Sequence, residues 1–293
     1  MEFINQLING LSLGSIYALV AIGYTMVYGI VQLINFAHGD IIMLGSYIML
    51  GIMMAVGMPF ILALVLSMLI CACLGMAIEK IAYKPLRSAE RITALITAIG
   101  VSIFLQNAVM LVAGSRSQTF TTPLSGSVEV FGQNISIISI ITIVAAMVSM
   151  VVLSLFIKYT KMGKAMRAVS EDHGAATLMG VNINTTISIT FAIGSALAVI
   201  AGALFSSAYP VLSPTMGSLF GLKAFVAAVI GGIGNLAGAM IGGILLGVLE
   251  NTAKFILPSD YSALSDAISF LVLIIVLLFK PSGILGKHIK EKV

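Results

Sequence analysis

The chain has 293 residues, of which 59% are hydrophobic and only 9% are charged, and its mean hydropathy is +1.13. A soluble domain carries about 25% charged residues, so this composition excludes an ordinary soluble domain and indicates an integral membrane protein. The net charge of +4 could suit nucleic acid, but the basic residues flank apolar segments. Membrane topology and lipid headgroups explain that pattern better than nucleic acid does.

The basic residues mark one side of the membrane. None occurs before Lys80, and twelve of the 15 fall in three clusters. The clusters are Lys80, Lys84, Arg87 and Arg91; Lys158, Lys161, Lys164 and Arg167; and Lys280, Lys287, Lys290 and Lys292. Short loops rich in lysine and arginine stay on the cytoplasmic side. The clusters therefore predict three cytoplasmic segments, 80–91, 158–185 and 280–293, with even numbers of crossings between them.

Apolar stretches near the 20 residues that cross a bilayer recur along the whole chain. In chain order they are Leu7–Ile30, Ile41–Val56, Phe60–Ile78, Ile92–Ala113, Ile135–Ile157, Ile187–Ala208, Phe220–Glu250 and Asp266–Phe279. Glycines at 231–235 should break Phe220–Glu250 into two short helices. We expect an all-α, polytopic membrane helix bundle of about eight spans, one or two of them broken or re-entrant, in a single domain over residues 1–293.

The side of the N-terminus stays open at this stage. A polar segment, Asn35–Asp40, interrupts the apolar sequence before the second stretch. Three full crossings before Lys80 would place the N-terminus outside, whereas a re-entrant Asn35–Asp40 segment would place it inside. The segments 114–134 and 209–218 are expected to be outer loops.

Small residues recur four positions apart on several of these helices. The stripes are Gly10, Gly14 and Ala18; Gly194, Ala198, Gly202 and Ser206; and the pairs Gly238/Gly242 and Gly243/Gly247. Small faces let helix backbones approach closely inside a membrane. They predict packing within the chain, and the alternative is that one stripe contacts a partner protein.

The sequence lacks the residue sets that chemistry would need. It has no GxxxxGK[ST] phosphate loop, and its one Gly-x-Ser-x-Gly pattern, Gly10–Gly14, lies inside an apolar span and not at a turn, so neither ATP hydrolysis nor nucleophilic catalysis is expected of this chain. The three histidines, His38, His173 and His288, are far apart and lack metal-ligand spacing. We therefore expect neither an enzyme nor a metal site.

The second basic segment, about residues 158–185, is the most informative part of the chain. Ser170, followed by Glu171 and Asp172, suits the start of a short helix, since a hydroxyl cap and nearby acids stabilise free N–H groups. Gly180 suits its end. An amphipathic cytoplasmic helix that the rest of the chain leaves uncovered is expected to fill a partner's groove. The alternative is a helix lying on the lipid surface.

Several segments together resemble one family. They are Asn35–Asp40, Tyr83–Arg87, Leu95–Gly100, Phe104–Asn107, Lys223–Gly234 and Lys280–Gly286. In this order, and with the second basic segment, the chain resembles the branched-chain amino-acid ABC permease family, specifically its H-type subunit. The resemblance covers essentially the whole chain. It implies that the second basic segment docks on ATPases through Gly163, Arg167, Glu171, Asp172, Ala175, Ala176 and Gly180.

The resemblance also implies the partners and the location. Such a permease sits in the bacterial inner membrane and pairs with a second, homologous permease, two cytoplasmic ATPases and a substrate-binding protein outside. ATP and Mg²⁺ would bind to the ATPases, and this chain itself would hold no cofactor. The ligands would be leucine, isoleucine, valine or related amino acids, and relatives carry urea or short amides.

Polar residues inside apolar spans predict the translocation path or the seam between permeases, because a charge in the bilayer core usually faces a cavity or a partner. The candidates are Asn35, His38, Asp40, Lys223, Gly231, Gly234 and Asn235. Lys223 could instead extend to the outer surface, the glycine break could serve only close packing, and Glu250 and Asp266 are expected at the interface. The two broken segments alone would also suit an ion-coupled secondary transporter, which needs no ATPase-docking loop.

Overall fold

The computed structural model describes residues 2–31, 35–87, 89–124, 126–130, 133–258 and 264–286. The helices are α1 Glu2–Val31, α2 His38–Val56, α3 Phe60–Ile78, α4 Arg91–Ala113, α5 Ile137–Tyr159, α6 Lys161–Glu171, α7 His173–Leu178, α8 Ile183–Ala208, α9 Met216–Gly231, α10 Leu236–Ile256 and α11 Leu264–Phe279. A π-helical turn, Glu79–Tyr83, and a 3₁₀ turn, Lys84–Leu86, follow α3.

Within the described residues, seven helices are long and apolar enough to cross a membrane, and α9 and α11 are shorter apolar helices of 16 residues each. The predicted all-α, polytopic bundle is confirmed. The predicted break is also confirmed, because α9 ends at Gly231 and α10 begins at Leu236. Gly232 and Gly234 in between have φ of +106° and +89°, values that favour glycine.

Within the described residues, four short strands lie in or beside the segments predicted to be outer loops, and one of them covers the first two residues of the predicted Ile135–Ile157 span. They are β1 Gln118–Thr119, β2 Ser127–Val130, β3 Gln133–Ser136 and β4 Val211–Leu212. Strand β1 pairs antiparallel with β4, and β2 pairs antiparallel with β3. The β1–β4 pair joins the segment after α4 to the segment after α8, so two outer loops are tied together.

Helix α1 forms the centre of the bundle, and it packs against α10 through the predicted small-residue stripes. A Cβ on Gly14 would lie 2.7 Å from the carbonyl oxygen of Ile244, and a Cβ on Gly247 would overlap the backbone of Gly14. Gly202 on α8 lies equally close to Ile42 on α2. The stripes therefore serve packing within the chain, as the sequence predicted.

The first two basic clusters lie on one face of the bundle. Arg87, beyond the end of α3, donates from Nη1 to the Asn184 side-chain oxygen at 2.6 Å, at the start of α8. The ring nitrogen Nε2 of His173, in α7, lies 3.0 Å from the carbonyl oxygen of Ile30 at the end of α1. These two contacts bring the ends of α1 and α3 and the α6–α7 segment together.

The segment after α11 reaches the same face. Ile284 N–H donates to the Ile230 carbonyl at 2.8 Å, where α9 ends. Gly234, just beyond that end, lies against Gly29 of α1. The remaining lysines of the third cluster, Lys287, Lys290 and Lys292, lie outside the described residues.

Candidate translocation and coupling sites

The predicted coupling segment forms two helices joined by a tight corner. Thr160 caps α6 by accepting the Gly163 N–H at 2.9 Å, and the helix runs to Glu171. Asp172 then caps α7, accepting the Ala175 N–H on Oδ1 at 2.9 Å. A carboxylate at this position accepts a hydrogen bond from a free N–H group, and its negative charge is stabilised by the positive end of the helix dipole.

The prediction that Ser170 starts the helix is wrong. Ser170 and Glu171 occupy the last turn of α6, where the Ser170 hydroxyl donates to the Arg167 carbonyl at 2.8 Å. Asp172 is the residue that begins the next helix. The predicted end is confirmed: α7 stops at Leu178, and Gly180 has φ of +82° while its N–H donates to the Thr177 carbonyl.

The apolar face of this segment is only partly uncovered, contrary to the sequence interpretation. Met166, Val169 and Ala176 are buried against α1, α8 and the turn after α3. In contrast, Leu178 and Met179 are 90% and 84% exposed. The buried residues fix the segment to the bundle, because they join a core cluster of the same chain. The exposed pair remains as an apolar tip, hereafter the α7 tip.

The residues predicted to dock on ATPases are only partly exposed, and Ala176 among them is buried. Glu171, Asp172 and Ala175 are exposed, whereas Gly163 is buried against the end of α5 and Arg167 donates to the Lys158 carbonyl. Gly163 and Arg167 therefore hold the segment in place. Glu171 and Asp172 place two exposed acids at the corner before α7, and the α7 tip lies at the other end of that helix.

The Asn35–Asp40 segment is buried where α1, α2, α8 and α9 meet. Asn35 Oδ1 accepts from the Tyr83 hydroxyl at 2.7 Å, and the His38 ring packs edge-on against Tyr24. Asp40 is completely buried, and its Oδ1 accepts from Gln106 Nε2 at 2.9 Å. Among the described residues, His38 Nε2 and Asp40 Oδ2 have no hydrogen-bond partner.

The backbones of α2 and α9 touch at this segment. A Cβ on Gly39 would overlap the Gly217 carbonyl oxygen, and it would lie 2.5 Å from the Gly221 amide nitrogen. Only a residue without a side chain permits this approach. The same contact places Asp40 beside the start of α9, since a Cβ on Gly217 would lie 2.5 Å from Asp40 Oδ1.

Lys223 does not extend to the surface; it is 5% exposed and lies in an ionic network. Its Nζ lies 2.9 Å from Glu250 Oε2 and 2.8 Å from Asp266 Oδ1, and Lys254 Nζ donates to Glu250 Oε1 at 2.6 Å. The Tyr17 hydroxyl donates to Glu250 Oε2 at 2.8 Å. Glu250 is 1% exposed, so its predicted interfacial position is wrong.

The glycine break is closed by the chain's own C-terminal segment. Ile284 and Leu285 N–H groups donate to the carbonyls of Ile230 and Gly231, and Asn235 Nδ2 donates to the Leu285 carbonyl at 2.8 Å. Lys223–Gly234 and Lys280–Gly286, two of the segments that carry the family resemblance, are thus hydrogen-bonded to each other. Gly231 serves close packing on Gly238, whereas Gly234 is exposed.

The structure therefore separates the residues predicted for the path. Asn35, His38 and Asp40 share one buried region, Lys223 belongs to the ionic network, and Gly231, Gly234 and Asn235 lie on the basic face. Sequence reasoning missed Tyr17, Tyr83, Gln106 and the role of Glu250. Gln106 and Tyr83 fall in segments that carried the family resemblance, so that signal was available.

A second buried ion pair supports the turn after α3. Glu79 is 1% exposed and contacts Arg87 Nη2, and the Ser188 hydroxyl donates to its other oxygen at 2.5 Å. Removing one partner of a buried pair costs about 3–5 kcal/mol at full burial. Because Arg87 is partly exposed, we expect Arg87→Gln to cost about 2 kcal/mol and to lower the thermal midpoint of the detergent-solubilised protein by several degrees.

The neighbouring Lys84→Gln is the control, since Lys84 is exposed. The double variant Glu79→Gln/Arg87→Gln should recover part of the loss, because no uncompensated charge is left. If the stability loss of the double variant equals the sum of the losses in the two single variants, the ion pair between Glu79 and Arg87 is contradicted.

These features define a multi-pass helical membrane protein with an exposed helical corner on one face and buried polar groups within its bundle. The family described as "Branched-chain amino acid transport system / permease component" matches residues 6–277. The chain belongs to this family.

Curated relatives match along almost their full length. The permease protein LivH of the high-affinity branched-chain amino acid transport system of Salmonella typhimurium is 44% identical, over 100% of this chain and 98% of its own. BraD of Pseudomonas aeruginosa, described in the same terms, is 46% identical over the same shares. The ribose import permease protein RbsC of Escherichia coli is 24% identical over 93% of this chain and 85% of its own.

Proposed function

We propose that this chain is the permease subunit of an ATP-driven importer of branched-chain amino acids in a bacterial inner membrane. It forms one half of the translocation path, and a second, homologous permease forms the other. Two ATPases bind Mg²⁺ and ATP in the cytoplasm, and a substrate-binding protein delivers the amino acid from outside. The substrate class follows from the relatives, whose names specify branched-chain amino acids.

The α7 tip is the observation that carries the coupling role. Leu178 and Met179 project from the basic face with nothing in the described chain to cover them. A short helix with exposed acids before its start and an apolar tip at its end suits a groove on a soluble partner. His173 joins the same helix to the end of α1, so a force on α7 reaches the bundle.

The test is reconstitution. A tagged chain should co-purify with two ATPase subunits and a second permease, and proteoliposomes containing this complex should take up leucine when ATP and the binding protein are supplied. Leucine uptake that follows an ion gradient and ignores ATP would contradict the proposal. Uptake of urea or short amides in place of leucine would leave the ATP-driven class intact and change the substrate.

The orientation makes a separate prediction. With the basic face in the cytoplasm, α1 starts outside, because it runs antiparallel to α10, whose start lies on the basic face. In a variant with Cys71 and Cys73 replaced by alanine, a cysteine at Glu129 should react with an impermeant maleimide in sealed cells. A cysteine at Lys164 should react only after permeabilisation. Both positions are exposed, so the reversed result would invert the topology.

A further inference from the structure

A cavity of about 630 Å³ lies at the end of the bundle opposite the basic face. Its rim includes Tyr209, Pro210 and Val211, which follow the end of α8. Helix α8 starts on the basic face, and its 26 residues span about 39 Å, so its end lies on the other side. The volume falls within the roughly 300–1,000 Å³ that is typical of small-molecule sites.

The cavity combines an ionic wall with an apolar wall. The ionic wall holds Lys223, Lys254, Glu250 and Asp266, two cations and two anions. The apolar wall includes Leu13, Phe205, Leu219 and Phe220. Because the four charges sum to zero, a ligand with a net charge would leave an unpaired charge in a region of low dielectric, which is costly.

Two of the four charged groups remain accessible. The side chains of Lys254 and Asp266 are 43% and 36% exposed, whereas those of Lys223 and Glu250 are nearly inaccessible. The Lys254 ammonium has three donors, of which Glu250 takes one, and Lys223 contacts only Oδ1 of the Asp266 carboxylate. The Lys254 ammonium can therefore donate to a further partner, and Oδ2 of Asp266 can accept from one.

We propose that this cavity is an outer binding site for the zwitterion of an aliphatic amino acid. The ligand carboxylate binds Lys254, the ligand ammonium binds Asp266, and its side chain packs on Leu13, Phe205 and Phe220. Lys223 and Glu250, held by Tyr17, keep the two accessible groups in position. The choice of ligand rests on the proposed function, and the site itself rests on the cavity.

The experiment measures equilibrium binding of radiolabelled leucine to the full-length protein in phosphatidylcholine nanodiscs without binding protein. We expect Asp266→Asn and Lys254→Gln each to weaken binding by about tenfold or more, as the loss of one charge contact predicts. Leu219→Trp, which adds bulk to the cavity wall and keeps all four charged residues, should also weaken binding. The control Lys164→Gln, on the basic face, should bind as the wild type does.

Two leucine analogues test the zwitterion requirement on the unaltered protein. Leucinamide lacks the carboxylate and 4-methylvalerate lacks the ammonium, so each should compete about tenfold less well than leucine. Equal competition by either analogue, or no leucine binding by the wild type, would overturn the proposal. So would unchanged binding in Asp266→Asn and Leu219→Trp.

A lipid headgroup offers the same chemistry, since phosphatidylethanolamine is also a zwitterion with an apolar tail. If phosphatidylethanolamine co-purifies with the wild type, is lost in Asp266→Asn, and no leucine binds, the cavity is a lipid site and the proposal is wrong. ATP-driven uptake by the same variants separates the two proposals. If the complete complex takes up leucine but the variants bind leucine as the wild type does, only the cavity site is contradicted. If the variants lose leucine binding but the complete wild-type complex shows no uptake, only the transport function is contradicted.

Discussion

Gly39→Ala should destabilise the bundle more than any other single-methyl change in α2, by about 3 kcal/mol. The added Cβ would overlap the Gly217 carbonyl oxygen and crowd the amide of Gly221, and both are backbone atoms of α9. A flexible side chain could move aside, but helix backbones cannot separate without disturbing the packing around them. The measurement is the amount of monodisperse protein that remains in detergent as temperature rises.

The matched control is Gly51→Ala in the same helix. Gly51 is exposed, and a Cβ there would meet no atom within 4 Å. Because alanine favours helix more than glycine does, this variant should be as stable as the wild type or slightly more stable. Equal stability of Gly39→Ala and Gly51→Ala would show that α2 and α9 do not approach as the structure has them.

Leu178→Asp combined with Met179→Asp should abolish ATP-driven uptake while leaving the permease folded. The two side chains are 90% and 84% exposed, so the substitutions remove no internal packing. An apolar anchor at the centre of an interface contributes about 2 kcal/mol or more, which corresponds to about a 30-fold loss of affinity. The added carboxylates would also have to lose their water in an apolar groove, which should deepen the loss.

The readouts are the affinity of purified ATPase for the reconstituted permease and the rate of leucine uptake. Val128→Asp is the control, because Val128 is an exposed apolar residue in the outer hairpin. It should leave both quantities unchanged. Wild-type ATPase affinity in the double variant would mean that the α7 tip is not the docking site.

The sequence predicted the features that depend on local signals. Apolar stretches located the long helices, and the glycines at 231–234 predicted the break between α9 and α10, because positive φ is a local property of the chain. Gly180 predicted the end of α7 for the same reason. The small-residue stripes were read correctly as internal packing.

The features that the sequence did not predict depend on distant partners or on a choice between adjacent residues. Lys223 is neutralised by Glu250 and Asp266, which come from other helices, and nothing near Lys223 in sequence shows this. Ser170 and Asp172 are both good helix caps, and only the turn between α6 and α7 selects Asp172. The β1–β4 pair joins segments about 90 residues apart, and strands of two residues leave no periodic pattern.

Helix α1 connects the two ends of the molecule. At one end, the Ile30 carbonyl oxygen lies 3.0 Å from Nε2 of His173 in α7. Nearer the other end, the Tyr17 hydroxyl donates to Glu250 and accepts from Lys223 in the ionic network. The two residues are 13 positions apart, which is about 20 Å along a helix. A helix resists compression along its axis, so α1 acts as a rod between them. If an ATPase binds α7 as proposed, an axial shift that it imposes there would move the Tyr17 hydroxyl, and a ligand bound in the proposed cavity site would in turn displace α7.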